Sequence, residues 1–199
     1  RIVSGMLFGF TLGLCVTAFV AYAVWLPGHE RELDASSQVV STPKGDIEYA
    51  EVGSGIPFLA IHGSPGGYDA AVAGPLALPN EYSGFRVIAP SRPGYLRTPL
   101  GANLTPAQQA DLYAELLDHL QIEKVVVQGV SGGGPSALQF ALRHPNRVIG
   151  LVLVVPYLVT NPDYENVLAK NPVSVIAQDV AFWLGSELIG NRFMASMVM

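Results

Sequence analysis

Residues 129–133, Gly-Val-Ser-Gly-Gly, set one hydroxyl, that of Ser131, among glycines where the apolar run KVVVQGV gives way to a helical pattern. A G-x-S-x-G sequence between a strand and a helix suits a nucleophile. Its glycines let the two backbones pass close together, and the serine then stands on a tight turn with Oγ facing a bound substrate. The helix behind it aims free N–H groups and the positive end of its dipole at the same point, which favours the oxyanion formed when a serine adds to an acyl carbonyl. Two other readings compete. One is a plain glycine turn carrying an inert serine. The other is a dinucleotide fingerprint, since Gly132, Gly134 and Ala137 spell G-x-G-x-x-A. That fingerprint also needs an acid about 20 positions on, at the end of the next strand. The next strand ends VLVVPY, and Pro135 interrupts the fingerprint itself, so the dinucleotide reading is set aside.

The elements around the serine follow from pattern. QVVSTPKGDIEYAEVGSG reads as two strands about a turn at Pro43-Lys44-Gly45-Asp46. PFLAIHG, FRVIAPS (85–91), KVVVQGV (124–130) and RVIGLVLVV (147–155) are continuous apolar runs of strand length, which predicts strands buried on both faces, as in a parallel sheet. TPAQQADLYAELLDHL (105–120) starts with Thr105 as N-cap, Pro106 at the first helical position and Gln108 placed to close a capping box. Leu112, Leu116, Leu117 and Leu120 recur at helical spacing and are expected to face the sheet, with Gln108, Asp111, Glu115 and Asp118 toward water. A second helix is expected over roughly 133–143. Strands alternating with helices make this an α/β protein with right-handed crossovers.

Three motifs in order resemble the α/β-hydrolase fold family. His62-Gly63-Ser64-Pro65-Gly66 after FLAI resembles its HGxPG oxyanion loop, Ser91-Arg92-Pro93-Gly94-Tyr95-Leu96-Arg97-Thr98 resembles its DxPGxGxS loop, and GVSGGGPSAL resembles its nucleophile elbow. The resemblance covers about residues 39–155. It implies a mostly parallel sheet, Ser131 as nucleophile, the N–H of Gly132 as one oxyanion donor and a second donor at Ser64. His62, Gly63, Gly66, Gly129 and Gly133 would support that motif. Ser91 stands where the family usually has aspartate, and Leu96 where it has glycine. A serine nucleophile rather than an aspartate argues against the dehalogenases and epoxide hydrolases of the same fold.

A serine needs a base, and the family's chain order is serine, acid, histidine. After Ser131 the sequence holds only His144, in the step that ends the next helix and read as a surface helix-end residue. His62 belongs to the oxyanion loop, His119 to a helix C-terminus, and His29 adjoins the apolar N-terminal segment. Asp163 and Glu165 fall in a helical stretch and read as solvated. The catalytic acid and histidine are therefore expected to lie beyond Met199, and these 199 residues by themselves to be inactive.

Residues 2–26 contain no charge and, at about 1.5 Å per residue, are long enough as a helix to exceed the roughly 30 Å hydrocarbon core, which predicts a single transmembrane helix. Ala21-Tyr22-Ala23 also has the form of a signal cleavage site, in which case the protein would be secreted; the length of the run favours a retained anchor. Arg1 ahead of it places the globular part on the extracytoplasmic side. The domain expectation is an anchor or signal segment at 1–27, the N-terminal part of an α/β-hydrolase core at 28–155 and the start of a helical cap at 156–199, the chain ending before the last core strands. In that cap Phe182, Trp183 and Leu184 hint at an apolar acyl or alcohol group. Together with an exposed sheet edge, Phe193, Met194, Met197 and Met199 favour aggregation.

The net charge of −5 excludes an electrostatic nucleic-acid binder, and Cys15 as the only cysteine excludes an internal disulfide or a cysteine metal cluster. These readings converge on a serine hydrolase cleaving an ester, thioester, lactone or amide of a small molecule, with no metal or organic cofactor. A non-catalytic hydrolase-fold protein, serving as a membrane-tethered binding or scaffold module, is the alternative. The sequence leaves oligomeric state open.

Overall fold

The computed structural model describes residues 2–64, 66–73, 83–103 and 105–158; in its first helix, side chains are described at Phe10, Gly13 and from Cys15 onward. The chain divides into two units, and Leu33–Thr160 holds the sheet.

Strand β1 (Gln38–Thr42) turns back at Lys44 into β2 (Gly45–Ile61), pairing Thr42 with Gly45 and Gln38 with Tyr49. β2 covers both of the first two apolar runs and bends around β3 (Ser83–Pro90). Tyr49–Gly53 pair antiparallel with Pro90–Arg86; past register breaks between Gly53 and Leu59, Pro57, Phe58 and Leu59 stand opposite Arg86, Val87 and Ile88. The same β3 residues therefore have one half of β2 on each side. The second half of β2 then pairs in parallel with β4 (Val125–Val130), and β4 in parallel with β5 (Val148–Val154).

Alternation along these strands fills two cores. Leu59, Ile61, Ile88, Val125 and Val127 point to one face, against Leu112, Tyr113, Leu116 and Leu117 of α3 (Pro106–His119) and Ala137 and Phe140 of α4 (Gly134–Arg143). Phe58, Ala60, Val87 and Ala89 point to the other, with Tyr68 and Ala71 of α2 (Tyr68–Ala73). Burial on both faces, which the continuous apolar runs predict, holds for the second half of β2, β3 and β4 and not for β5. The capping box of α3 is present: Gln108 N–H donates to Thr105 Oγ1 at 3.2 Å, and Thr105 N–H to Gln108 Oε1 at 2.9 Å. β5 is less covered, and its Ile149, Leu151 and Val152 are exposed.

One expectation is corrected. Helix α1 spans Ile2–Ala35, but among the described residues no helix is long and apolar enough to cross a membrane. The helix runs on through Pro27 to Glu30, Arg31, Glu32 and Asp34. The expected cap falls almost wholly outside the described residues, including Asp163, Glu165, Phe182, Trp183, Leu184 and the methionines near the end; only Pro156, Tyr157 and Leu158 of it are described.

Candidate active site

Ser131 adopts φ +46°, a left-handed backbone that a side chain makes costly, on a single 3-10 turn (Ser131–Gly133) between β4 and α4. Its carbonyl is held by the N–H of Tyr157 at 2.9 Å, just after β5. Close approach explains the glycines. A Cβ on Gly129 would lie 2.5 Å from Ala137 Cβ and 2.9 Å from Gly133 O, and one on Gly133 would lie 2.5 Å from His62 O and 2.6 Å from Ile61 O. The turn can be this tight only because those carbons are missing.

The two loops expected beside the serine are there. A Cβ on Gly63 would sit 3.1 Å from Ser131 Cβ and 3.8 Å from Ser131 Oγ; one on Gly132 would sit 3.5 Å from Ser64 Oγ. Ser131 thus lies against Gly63, and Gly132 against Ser64, so the loop after β2 stands beside the serine. Gly66, at φ +125°, instead packs on Ala70 at the start of α2, and Pro65 lies outside the described residues. Ser64 Oγ and the Tyr95 hydroxyl are 2.5 Å apart, tying the first loop to the second.

His62 serves as a joint between those loops. Its Nδ1–H donates to Gly63 O at 2.6 Å and its Nε2 accepts the N–H of Arg92 at 2.9 Å, while the ring meets Tyr95 edge-on at 4.9 Å. Burial pushes its pKa down to about 4, against the Gly63 hydrogen bond, with the charge of Arg92 adding to the depression. A neutral imidazole with both nitrogens engaged is no base for Ser131. His144 is bound to Asp111, Nε2 to Oδ1 at 3.0 Å, beyond the far end of α4 and so about 15 Å along the helix from the serine. His119 ends α3, and His29 stacks on Trp25 at 4.2 Å.

Sequence reasoning missed Glu48. Ser91, in place of the usual aspartate, donates from Oγ to Glu48 Oε2 at 2.7 Å and accepts the N–H of Tyr68 at 3.1 Å. Glu48, with a side chain only 1% exposed, also accepts from Arg97 N–H at 3.1 Å, Arg97 Nε at 2.8 Å and Ser37 Oγ at 2.7 Å. The carboxylate that the loop lacks is supplied by the neighbouring strand. Burial pushes its pKa up, but the hydrogen bonds from Arg97, Ser37 and Ser91 outweigh burial and hold it below the ordinary value. A carboxylate inside the run IEYAEV was the available signal. Among the described residues no group of three or more metal-ligating side chains is gathered.

A family model described as alpha/beta hydrolase fold matches residues 56–185. Over 122 residues the chain is 38% identical to an uncharacterized hydrolase, YcgS, of Bacillus subtilis strain 168, covering 58% of this chain and 40% of that protein. Over 104 residues it is 39% identical to the 2-hydroxymuconate semialdehyde hydrolase of Pseudomonas sp. strain CF600, covering 51% and 37%. The solved structure of an alpha/beta hydrolase fold protein from Nakamurella multipartita matches with a TM-score of 0.55 and 42% identity, over 67% of this chain and 47% of that one. The chain thus spans less than half the length of these relatives.

Proposed function

The chain belongs to the α/β-hydrolase fold family, and within it we propose a serine hydrolase that cleaves a small-molecule ester, thioester, lactone or amide through an acyl-enzyme on Ser131. The observation that carries this reading is Ser131 on its left-handed turn against Gly63, with Gly132 against Ser64. Oγ adds to the acyl carbonyl, and the carbonyl oxygen takes the negative charge between the N–H groups of Gly132 and Ser64. A base removes the hydroxyl proton and passes it to the leaving alcohol, thiol or amine; water, activated by the same base, then releases the acid. The sequence has four histidines, and none of them stands at Ser131 as a free base. Among the described residues no base and acid pair stands at Ser131, and the chain spans 40% and 37% of the length of these relatives.

The test is labelling of the full-length protein with a fluorophosphonate probe. The expected result is a covalent label that Ser131→Ala abolishes. A label that survives that substitution removes Ser131 as nucleophile. No label and no ester turnover in a folded protein would favour the non-catalytic binding module.

A further inference from the structure

Arg92 stands beside this site, and among the described residues no carboxylate pairs with it. Its backbone is fixed by the N–H donated to His62 Nε2, and its guanidinium carbon lies 5.4 Å from the centroid of the Tyr95 ring. Nη1 is 3.4 Å from Gly63 O, and a Cβ on Gly132, the residue after the nucleophile, would lie 3.1 Å from it. Nε is buried and has no hydrogen-bond partner. Elsewhere in the same unit Arg86, Arg97, Arg143 and Arg147 each pair with a carboxylate. Arg92 pairs with none among the described residues.

A cation partly withdrawn from water, with a buried N–H left unmade, is costly unless an anion completes it. The guanidinium matches a carboxylate in charge, and its terminal nitrogen beside Gly132 can donate to one. In that reading the N–H groups of Gly132 and Ser64 serve the oxyanion, so a second anionic group of the substrate is the fitting partner. We propose that Arg92 receives a carboxylate carried by the substrate near its scissile carbonyl, so that the substrates of Ser131 are acidic acyl compounds. This rests on the serine-hydrolase reading above.

The experiment compares two esters of equal acyl length in the full-length protein at neutral pH, followed by acid release: methyl butyrate and methyl hydrogen succinate, which differ by the terminal carboxylate. The wild-type protein is expected to prefer the succinate by about tenfold or more in kcat/KM, the worth of one charge-assisted pair. Arg92→Gln should erase that ratio, chiefly through KM, and Arg92→Lys, which keeps charge but loses the fork, should retain part of it. A wild-type protein without the preference overturns the proposal, and needs no variant to do so. Equal losses for both esters in Arg92→Gln also overturn it. If the protein takes the fluorophosphonate label and cleaves esters without preference, Arg92 alone is misassigned. If it does neither, the serine-hydrolase reading falls and this proposal with it.

Discussion

At Gly133 a single added carbon would meet two carbonyl oxygens, those of His62 and Ile61, at 2.5 and 2.6 Å. Both are backbone atoms of the strand end that carries the oxyanion loop, so relief would have to move the loop or the elbow. Gly133→Ala should therefore lower unfolding free energy by more than about 2 kcal/mol in urea titration, as overpacking of a closed site does. Gly150, in β5, has nothing within 4 Å of a built Cβ. Gly150→Ala should stay within about 0.5 kcal/mol of wild type; equal effects at the two positions would contradict the close-approach account. The serine and its glycines were legible because their types restrict the backbone. Arg92 was not, since a guanidinium's reach and missing partner are set by loops distant in sequence.

Glu48 shows how an element holds a site it never touches. From β2 it binds the loop after β3 through Ser91 and Arg97, and that loop in turn holds His62 and, through Tyr95, Ser64. Glu48→Gln leaves Arg97, 35% exposed and also 3.2 Å from Asp34, without its buried partner, and should cost about 2 kcal/mol of stability, below the scale for a fully buried pair. Glu51, bound to Arg86 by two hydrogen bonds from an exposed face of the same strand, is the control; Glu51→Gln should cost less than about 1 kcal/mol. A loss at Glu48 no larger than at Glu51 would remove the anchoring role. The strands and the capped helix could be read in advance, because their signals are local. That β2 folds around β3, and that a strand glutamate replaces a loop aspartate, could not, because both depend on pairing between segments about 40 residues apart. The membrane expectation rests on the length and lack of charge of residues 2–26, and among the described residues no helix is long and apolar enough to cross a membrane.

Over the whole molecule these two buried groups make stability fall with acid in two steps. His62 has a folded pKa of about 4, below its unfolded value of about 6.5, so folding favours the neutral ring. Its contribution is complete above about pH 6.5 and is lost as pH falls from there to about 4, at up to about 1.4 kcal/mol per pH unit. Glu48 is held below its ordinary value of 4.5, so its contribution is present above that pH and is lost as pH falls through the lower folded value. Urea titrations at pH 7.5, 5.5, 4.5 and 3.5 should show a decline that begins above pH 5, where carboxylates alone would leave a plateau. His62→Gln should flatten the upper step and leave the lower, and Glu48→Gln the reverse. A curve level between pH 7.5 and 5.5, then falling only below 4.5, would mean that burial does not hold His62 neutral.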